Sequence, residues 1–341
     1  MRWGHGLAVA LAASLTGPAA SAEPVILRLG GSAPEGSPWA DALEALARLI
    51  DQNTRGAVRL KLIHGAVVGS EAEMARDVAR GSLDGWGASV GAAEGLLPEM
   101  SVLELPFLFR NGKEVDHILV RLWPLLERTV ASRGYRFLGM MDVGFRHLGT
   151  QAPISNLADL RRTRLRSQPS RMHTRMWDLL GIQHTPVSLP DVMGALEERK
   201  IDALDSAVVW LFVSAWHQQI RTLTLSAHMY QPGFVVLGPG GLAKVPGPLQ
   251  RQLTDGMLEV CLRYNKKVRE VERSLLASLP GMGVEVRPVP PGLRAEMGSL
   301  VAPQRDEWRA NASPAGKRLL VAIERELALA RGHELEPRKA P

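Results

Sequence analysis

Arg162, Arg164 and Arg166 occupy alternate positions within the stretch from Asn156 to Ser206. In an extended segment alternate side chains share a face, so these three guanidinium groups line up while Thr163 and Leu165 point the other way. A domain core does not absorb three unpaired cations, because each would lose its water with nothing to replace it. Anion capture is the chemistry such a pattern suits, since the planar fork of arginine donates two parallel hydrogen bonds to a carboxylate. Arg166 lies at the carboxyl end of its strand, where parallel sheets place their ligands, and Arg146 lies where the chain enters the same region. Two plainer roles stay open: a solvated basic strand edge for the trio, and salt bridges to Asp142 or Asp159 for Arg146 and Arg166.

The elements that must position these residues follow from periodicity. Beyond the Arg-rich strand the pattern reads helix, Gly181, strand, helix and a short strand ending near Ser206. Upstream, Leu27 to Gly30 reads as a strand, and the next helix is capped by Ser37 with Pro38 at its first position. Trp39, Leu43, Leu46 and Ile50 then recur at helical spacing, whereas Val58, Leu60 and Leu62 alternate with Arg59 and Lys61 as a second strand. Ser70 and Glu73 form a capping box ahead of a helix that Gly81 closes. Further strands are expected at Leu83 to Ala88, Val102 to Phe109 and Tyr135 to Met141, with a helix from about Lys113. This alternation predicts an α/β fold built on a parallel sheet with helices on its faces.

Phe137 to Thr150 is too long for one ordinary strand, and Gly144 permits a bend, so the segment is expected to cross between two domains. Phe234 to Gly238 is the natural return. Pro248 to Leu279 reads as one helix of about 48 Å, enough to run along both domains. A strand at Val284 to Val286 and two terminal helices follow. The predicted division is residues 23–142 plus 232–265 as domain I and 143–231 plus 266–331 as domain II, with 332–341 as a disordered tail.

The chain has 341 residues, more than one hydrophobic core usually organises. Residues 1–22 have the layout of a secretory signal peptide: Arg2, an apolar run from Gly6 to Leu15, then Ala20-Ser21-Ala22. No later stretch approaches the roughly 20 apolar residues of a membrane helix. Net charge is +6, but export and the scarcity of aromatic residues near the basic cluster argue against nucleic acid and for small anions. Cys261 is the single cysteine, which excludes an intrachain disulfide and suits a packed thiol.

Other motifs are weaker. Gly87-Ala88-Ser89-Val90-Gly91 matches the GxSxG pattern of hydrolases, yet too few strands precede it and Ala92-Ala93-Glu94-Gly95 is a poor helix start, so small residues forming a pocket wall fit better. Gly31 to Ser37 outlines a phosphate loop without its lysine. Nine histidines are scattered without metal-ligand spacing; His217 beside Trp216 is the one to inspect first. No metal and no cofactor are expected.

Taken in order, several runs resemble the substrate-binding proteins of tripartite ATP-independent periplasmic (TRAP) transporters. They include Pro34-Glu35-Gly36-Ser37-Pro38-Trp39, Val68-Gly69-Ser70-Glu71, Leu105-Pro106-Phe107-Leu108-Phe109, Gly144-Phe145-Arg146, Arg164-Leu165-Arg166, Thr185-Pro186-Val187 and Ile201-Asp202-Ala203. The resemblance covers nearly the whole chain after residue 22. It implies the two-domain periplasmic binding protein fold, with a cleft between domains, crossing strands and a long domain-spanning helix. It also implies that Arg166 grips a ligand carboxylate and Arg146 assists, with Ser32, Ser89, Leu189 and Ser206 at other pocket positions; Trp39 and Asp205 are counted with them. Where the family often has Glu-Asn this chain has Asp205-Ser206, which removes a donor and leaves space.

The expected function is a periplasmic, monomeric solute-binding protein that captures an organic anion and delivers it to integral membrane permease subunits. Binding of this kind needs more than the anchor: hydrogen bonds to charged groups contribute roughly 1.5–3 kcal/mol each, against about 8 kcal/mol for a micromolar complex. Domain closure over the ligand's carbon skeleton is expected to supply the rest. Two alternatives are a binding module that feeds a signalling receptor and a secreted serine hydrolase using Ser89.

Overall fold

The structure, a computed structural model, describes residues 23–65 and 67–332. The expected signal peptide and, but for residue 332, the expected tail lie outside the described residues. Nine strands form one mixed sheet: β1 Val25–Gly31, β2 Val58–Ile63, β3 Gly85–Ser89, β4 Arg136–Thr150, β5 Leu165–Ser167, β6 His184–Pro186, β7 Ala203–Ala207, β8 Thr222–Leu237 and β9 Glu285–Pro288. The strand order is β2-β1-β3-β8-β4-β7-β5-β6, with β9 also on β8.

Local chemistry explains the first elements. The Ser37 hydroxyl accepts from Ala40 N and starts helix Pro38–Asn53, whose buried face carries Leu43, Leu46 and Ile50. Ser70 and Glu73 cap helix Glu71–Arg80 reciprocally, and Gly81 ends it at φ +79°, where a side chain would be strained.

The sheet consists of two parallel wings joined by an antiparallel centre. β1 pairs in parallel with β2 and β3, and β5 does the same with β6 and β7. Between the wings run β4 and β8, antiparallel to each other and 15 and 16 residues long. The carboxyl half of β8 pairs with β3, while the carboxyl half of β4 pairs with β7. The parallel sheet expected from alternation is therefore correct within each wing and wrong at the centre, where two shared strands replace helix-linked crossovers. The crossing at Phe137 to Thr150 coincides with β4, and its register shifts between Asp142 and Gly144, where Gly144 has φ +125°. The return crossing is far longer than Phe234 to Gly238, taking in all of β8.

Four further expectations give way. Val102 to Phe109 is not a strand: Pro98–Glu104 is a buried 3-10 turn. The long helix is Met257–Ser278, about 33 Å at 1.5 Å per residue. Gly256 precedes it at φ +75°, so the apolar spacing of Leu249 and Leu253 belongs to turns. It still touches both wings, contacting helices Pro38–Asn53 and Gly112–Ala131 on one side and Val208–Val213 on the other. Prolines split the terminal region into three helices, Pro291–Val301, Pro303–Asn311 and Pro314–Ala330, where two were expected.

The Arg-rich strand shortens most. Arg162 sits at the end of helix Leu157–Arg161 and pairs with Asp159, and Arg164 pairs with Asp202, both largely exposed. Only Arg166 lies within β5.

Candidate functional site

A pocket opens between the wings, with about 110 Å³ available to the centres of water molecules, room for a small molecule rather than a single water. Arg146 reaches it from the central strand β4, Arg166 from β5 of the second wing, and Ser32 and Ser89 from the first. Trp39, Leu189 and Ser206 complete the expected residues on its wall. The Trp39 ring crosses Gly233 of β8 so closely that a Cβ there would stand 2.2 Å from it, which requires glycine at that position. Asp205 is the exception: fully buried, it lies beneath the wall and not on it.

The two arginines differ sharply. Arg146 is 2% exposed and all three of its nitrogens are bonded: Nε bonds Asp205 Oδ2 at 2.5 Å, Nη2 bonds the Asp205 carbonyl at 2.7 Å, and Nη1 reaches Gln231 and Gln168 at 2.5 and 3.2 Å. Its counter-ion is thus Asp205, and neither Asp142 nor Asp159. Asp142 instead bonds Arg269, Tyr230 and Asn265, while Asp159 caps a helix. Burial pushes the Asp205 carboxyl upward, but the charge and hydrogen bonds of Arg146 outweigh it and hold the group well below the usual carboxylate range.

Arg166 is 3% exposed and has no carboxylate partner among the described residues. Nε and Nη2 both donate to the Val187 carbonyl, at 3.0 and 2.8 Å, which leaves Nη1 without a partner among the described residues. The guanidinium carbon stands 5.8 Å from the Trp216 ring centre, within cation–π range. Burial, reinforced by the Arg146 charge, lowers its pKa to about 10, so it remains a cation at neutral pH.

Across the pocket, Glu71 accepts from the Ser32 hydroxyl at 2.9 Å, the Ser89 hydroxyl at 2.6 Å and the Ser89 amide at 3.1 Å. The other partner of Ser89 is Gln168, at 3.1 Å, and a 3-10 turn follows it, unlike the helix behind a hydrolase nucleophile. Among the described residues no histidine bonds this serine. His217 bonds the Leu211 carbonyl and stacks on Phe212, off the pocket wall. Beneath the pocket, Asp205 meets His228 at 3.4 Å, and the fully buried His173 lies 3.9 Å from Asp205 and 3.7 Å from Glu104. No group of three metal-ligating side chains occurs among the described residues.

Sequence reasoning missed Glu71, Gln168, Gln231, Trp210 and Trp216 as wall residues. Gln168 could have been found, because it stands two residues after Arg166 and shares its face. The others come from distant elements.

Comparison with known proteins places the chain in a family. The family model for "Bacterial extracellular solute-binding protein, family 7" matches residues 29–311, and the chain belongs to that family. The resemblance to TRAP substrate-binding proteins stands accordingly. One relative is the 2,3-diketo-L-gulonate-binding periplasmic protein YiaO of Escherichia coli, 25% identical over 240 residues that cover 70% of this chain and 73% of the relative. Among solved structures, a TRAP periplasmic solute-binding protein from Xanthobacter autotrophicus with bound β-D-galacturonate superposes with a TM-score of 0.81 at 23% identity, covering 88% of this chain and 99% of the other. Another from Desulfovibrio salexigens, with bound orotic acid, gives 0.83 at 21% identity, covering 89% and 99%. These likenesses establish the two-domain fold.

Proposed function

We propose that this chain captures an organic anion by one carboxylate on Arg166 and delivers it to TRAP-type permease subunits, acting as a binder and not a catalyst. The observation that carries the anchor is the contrast at Arg166: a buried cation that faces a pocket with one donor arm open and no carboxylate beside it. Arg146, neutralised by Asp205, shapes the floor, while Ser32, Ser89, Ser206, Leu189 and Trp39 form the walls. The carboxylate-type ligands of the galacturonate- and orotate-bound relatives support the same class of ligand. Residues 23–142 with 232–265, and 143–231 with 266–331, act as the two closing bodies, with the bend at Gly144 between them. Export to the periplasm proceeds through removal of residues 1–22.

A thermal-shift screen of organic acids beside their neutral amides tests this. A ligand at 100 times its dissociation constant stabilises by about 2.7 kcal/mol, so some acids should raise the melting temperature while their amides do not. Equal shifts from acids and amides would remove the carboxylate reading.

A further inference from the structure

We infer that the ligand is a monocarboxylate with an apolar, preferably aromatic, body bearing one hydrogen-bond donor, and that dicarboxylates and polyhydroxylated sugar acids bind poorly. This rests on the reading of Arg166 as anchor. The pocket offers one usable positive charge, because the guanidinium of Arg146 is already neutralised by Asp205. A second ligand carboxylate would find no other cation on the wall, and it would meet the negative charge of Glu71. That carboxylate suits a ligand hydroxyl or ammonium, which can share its oxygens with Ser32 and Ser89.

The remaining polar groups already have partners within the protein: Ser37, Ser70, Ser188 and Asp142 bond groups of their own surroundings. Gln168 accepts from Gln231 at 2.7 Å and donates to Ser89 at 3.1 Å, and the Ser206 hydroxyl donates to the Ala207 carbonyl at 3.0 Å. A ligand with four or five hydroxyls would have to break these bonds or leave its own groups unpaired, and an unpaired buried polar group is costly. Most of the remaining wall is apolar, with Trp39, Val143, Val209, Trp210, Val213 and Trp216 on it beside Ser37, Ser70, Ser188 and Asp142. Such a surface rewards a ligand that stacks on tryptophan or fills space between branched side chains. The sugar acid bound by the Xanthobacter relative is the opposite kind of molecule.

Calorimetric titration of the full chain with phenylacetate, 4-hydroxyphenylacetate, succinate and galacturonate tests the inference. The aryl acids are expected to bind at least about tenfold tighter than succinate or galacturonate, the order of discrimination apolar pockets achieve. Trp210→Ala should weaken the aryl acids about tenfold in a protein that an unfolding curve shows to be folded, and Glu71→Gln should raise succinate affinity. Tighter binding of succinate or galacturonate, or an unchanged aryl-acid affinity in Trp210→Ala, overturns the inference. If acids bind in the reverse order and still require Arg166, only this inference fails; if an acid that binds does so equally well in a folded Arg166→Ala protein, the anchor reading fails with it.

Discussion

Arg146 and Arg166 line the same pocket and are equally buried, yet one is enclosed by partners and the other is not. Around Arg146, a carboxylate, a carbonyl and two glutamines occupy the guanidinium. Around Arg166 there is one carbonyl, one aromatic ring and the pocket. The lesson is that residue type and burial do not distinguish a structural cation from a binding one; the count of occupied donors does. A neutralised pair holds two strands together, since Arg146 is on β4 and Asp205 on β7. An arginine with an open arm keeps unsatisfied electrostatic potential that a ligand can use, in a setting where water is scarce.

The largest expected effect breaks the closed side of this comparison. Arg146→Ala leaves Asp205 buried without its cation and should destabilise the protein by about 3–5 kcal/mol in urea unfolding. A loss below about 1 kcal/mol would show that the pair is not structural. Next comes the acid limb of stability. Asp205 has a folded pKa below its ordinary 3.8, so its contribution is present above that value and is lost as pH falls through the folded one. Melting temperature against pH should therefore fall below about pH 4 in the native protein, and Asp205→Asn, already weaker at neutral pH, should show a shallower fall over the same range; parallel curves would contradict the assignment.

A smaller effect of opposite sign is expected at the bend. Glu272 on helix Met257–Ser278 is pushed up to about 7 by burial, with the nearby Asp142 charge adding to it. A raised carboxyl stabilises most below its unfolded value of 4.5, and that contribution is lost as pH rises through 7. Glu272→Gln should thus raise the melting temperature at pH 8 by a few degrees and leave it nearly unchanged at pH 5, as differential scanning calorimetry would show.

How much of this was legible in the sequence depends on how local the cause is. The Ser37 cap, the Ser70/Glu73 box and the Gly81 stop were readable because their partners lie within four residues. The length of β4 and its bend at Gly144 were readable for the same reason. The start of the long helix was not: Leu249, Leu253 and Met257 keep helical spacing through turns, and only Gly256 marks the break. The apolar Val102 to Phe109 run could not be told from a strand, since burial on all sides erases periodicity. At the site, the arginines were visible as types, but which one is neutralised depends on Asp205, 59 residues away on a neighbouring strand. Glu71 and Trp216 likewise reach the pocket only through tertiary packing.

Calorimetric titration of Arg166→Ala with the tightest acid found in the screen, beside the native protein and an unfolding curve for each, tests the central claim most directly. Loss of at least about 100-fold in affinity is expected, the size of one charge-assisted pair of hydrogen bonds, with unfolding free energy changed by less than about 1 kcal/mol. Undiminished affinity in a folded Arg166→Ala protein would contradict the assignment of Arg166 as the anchor.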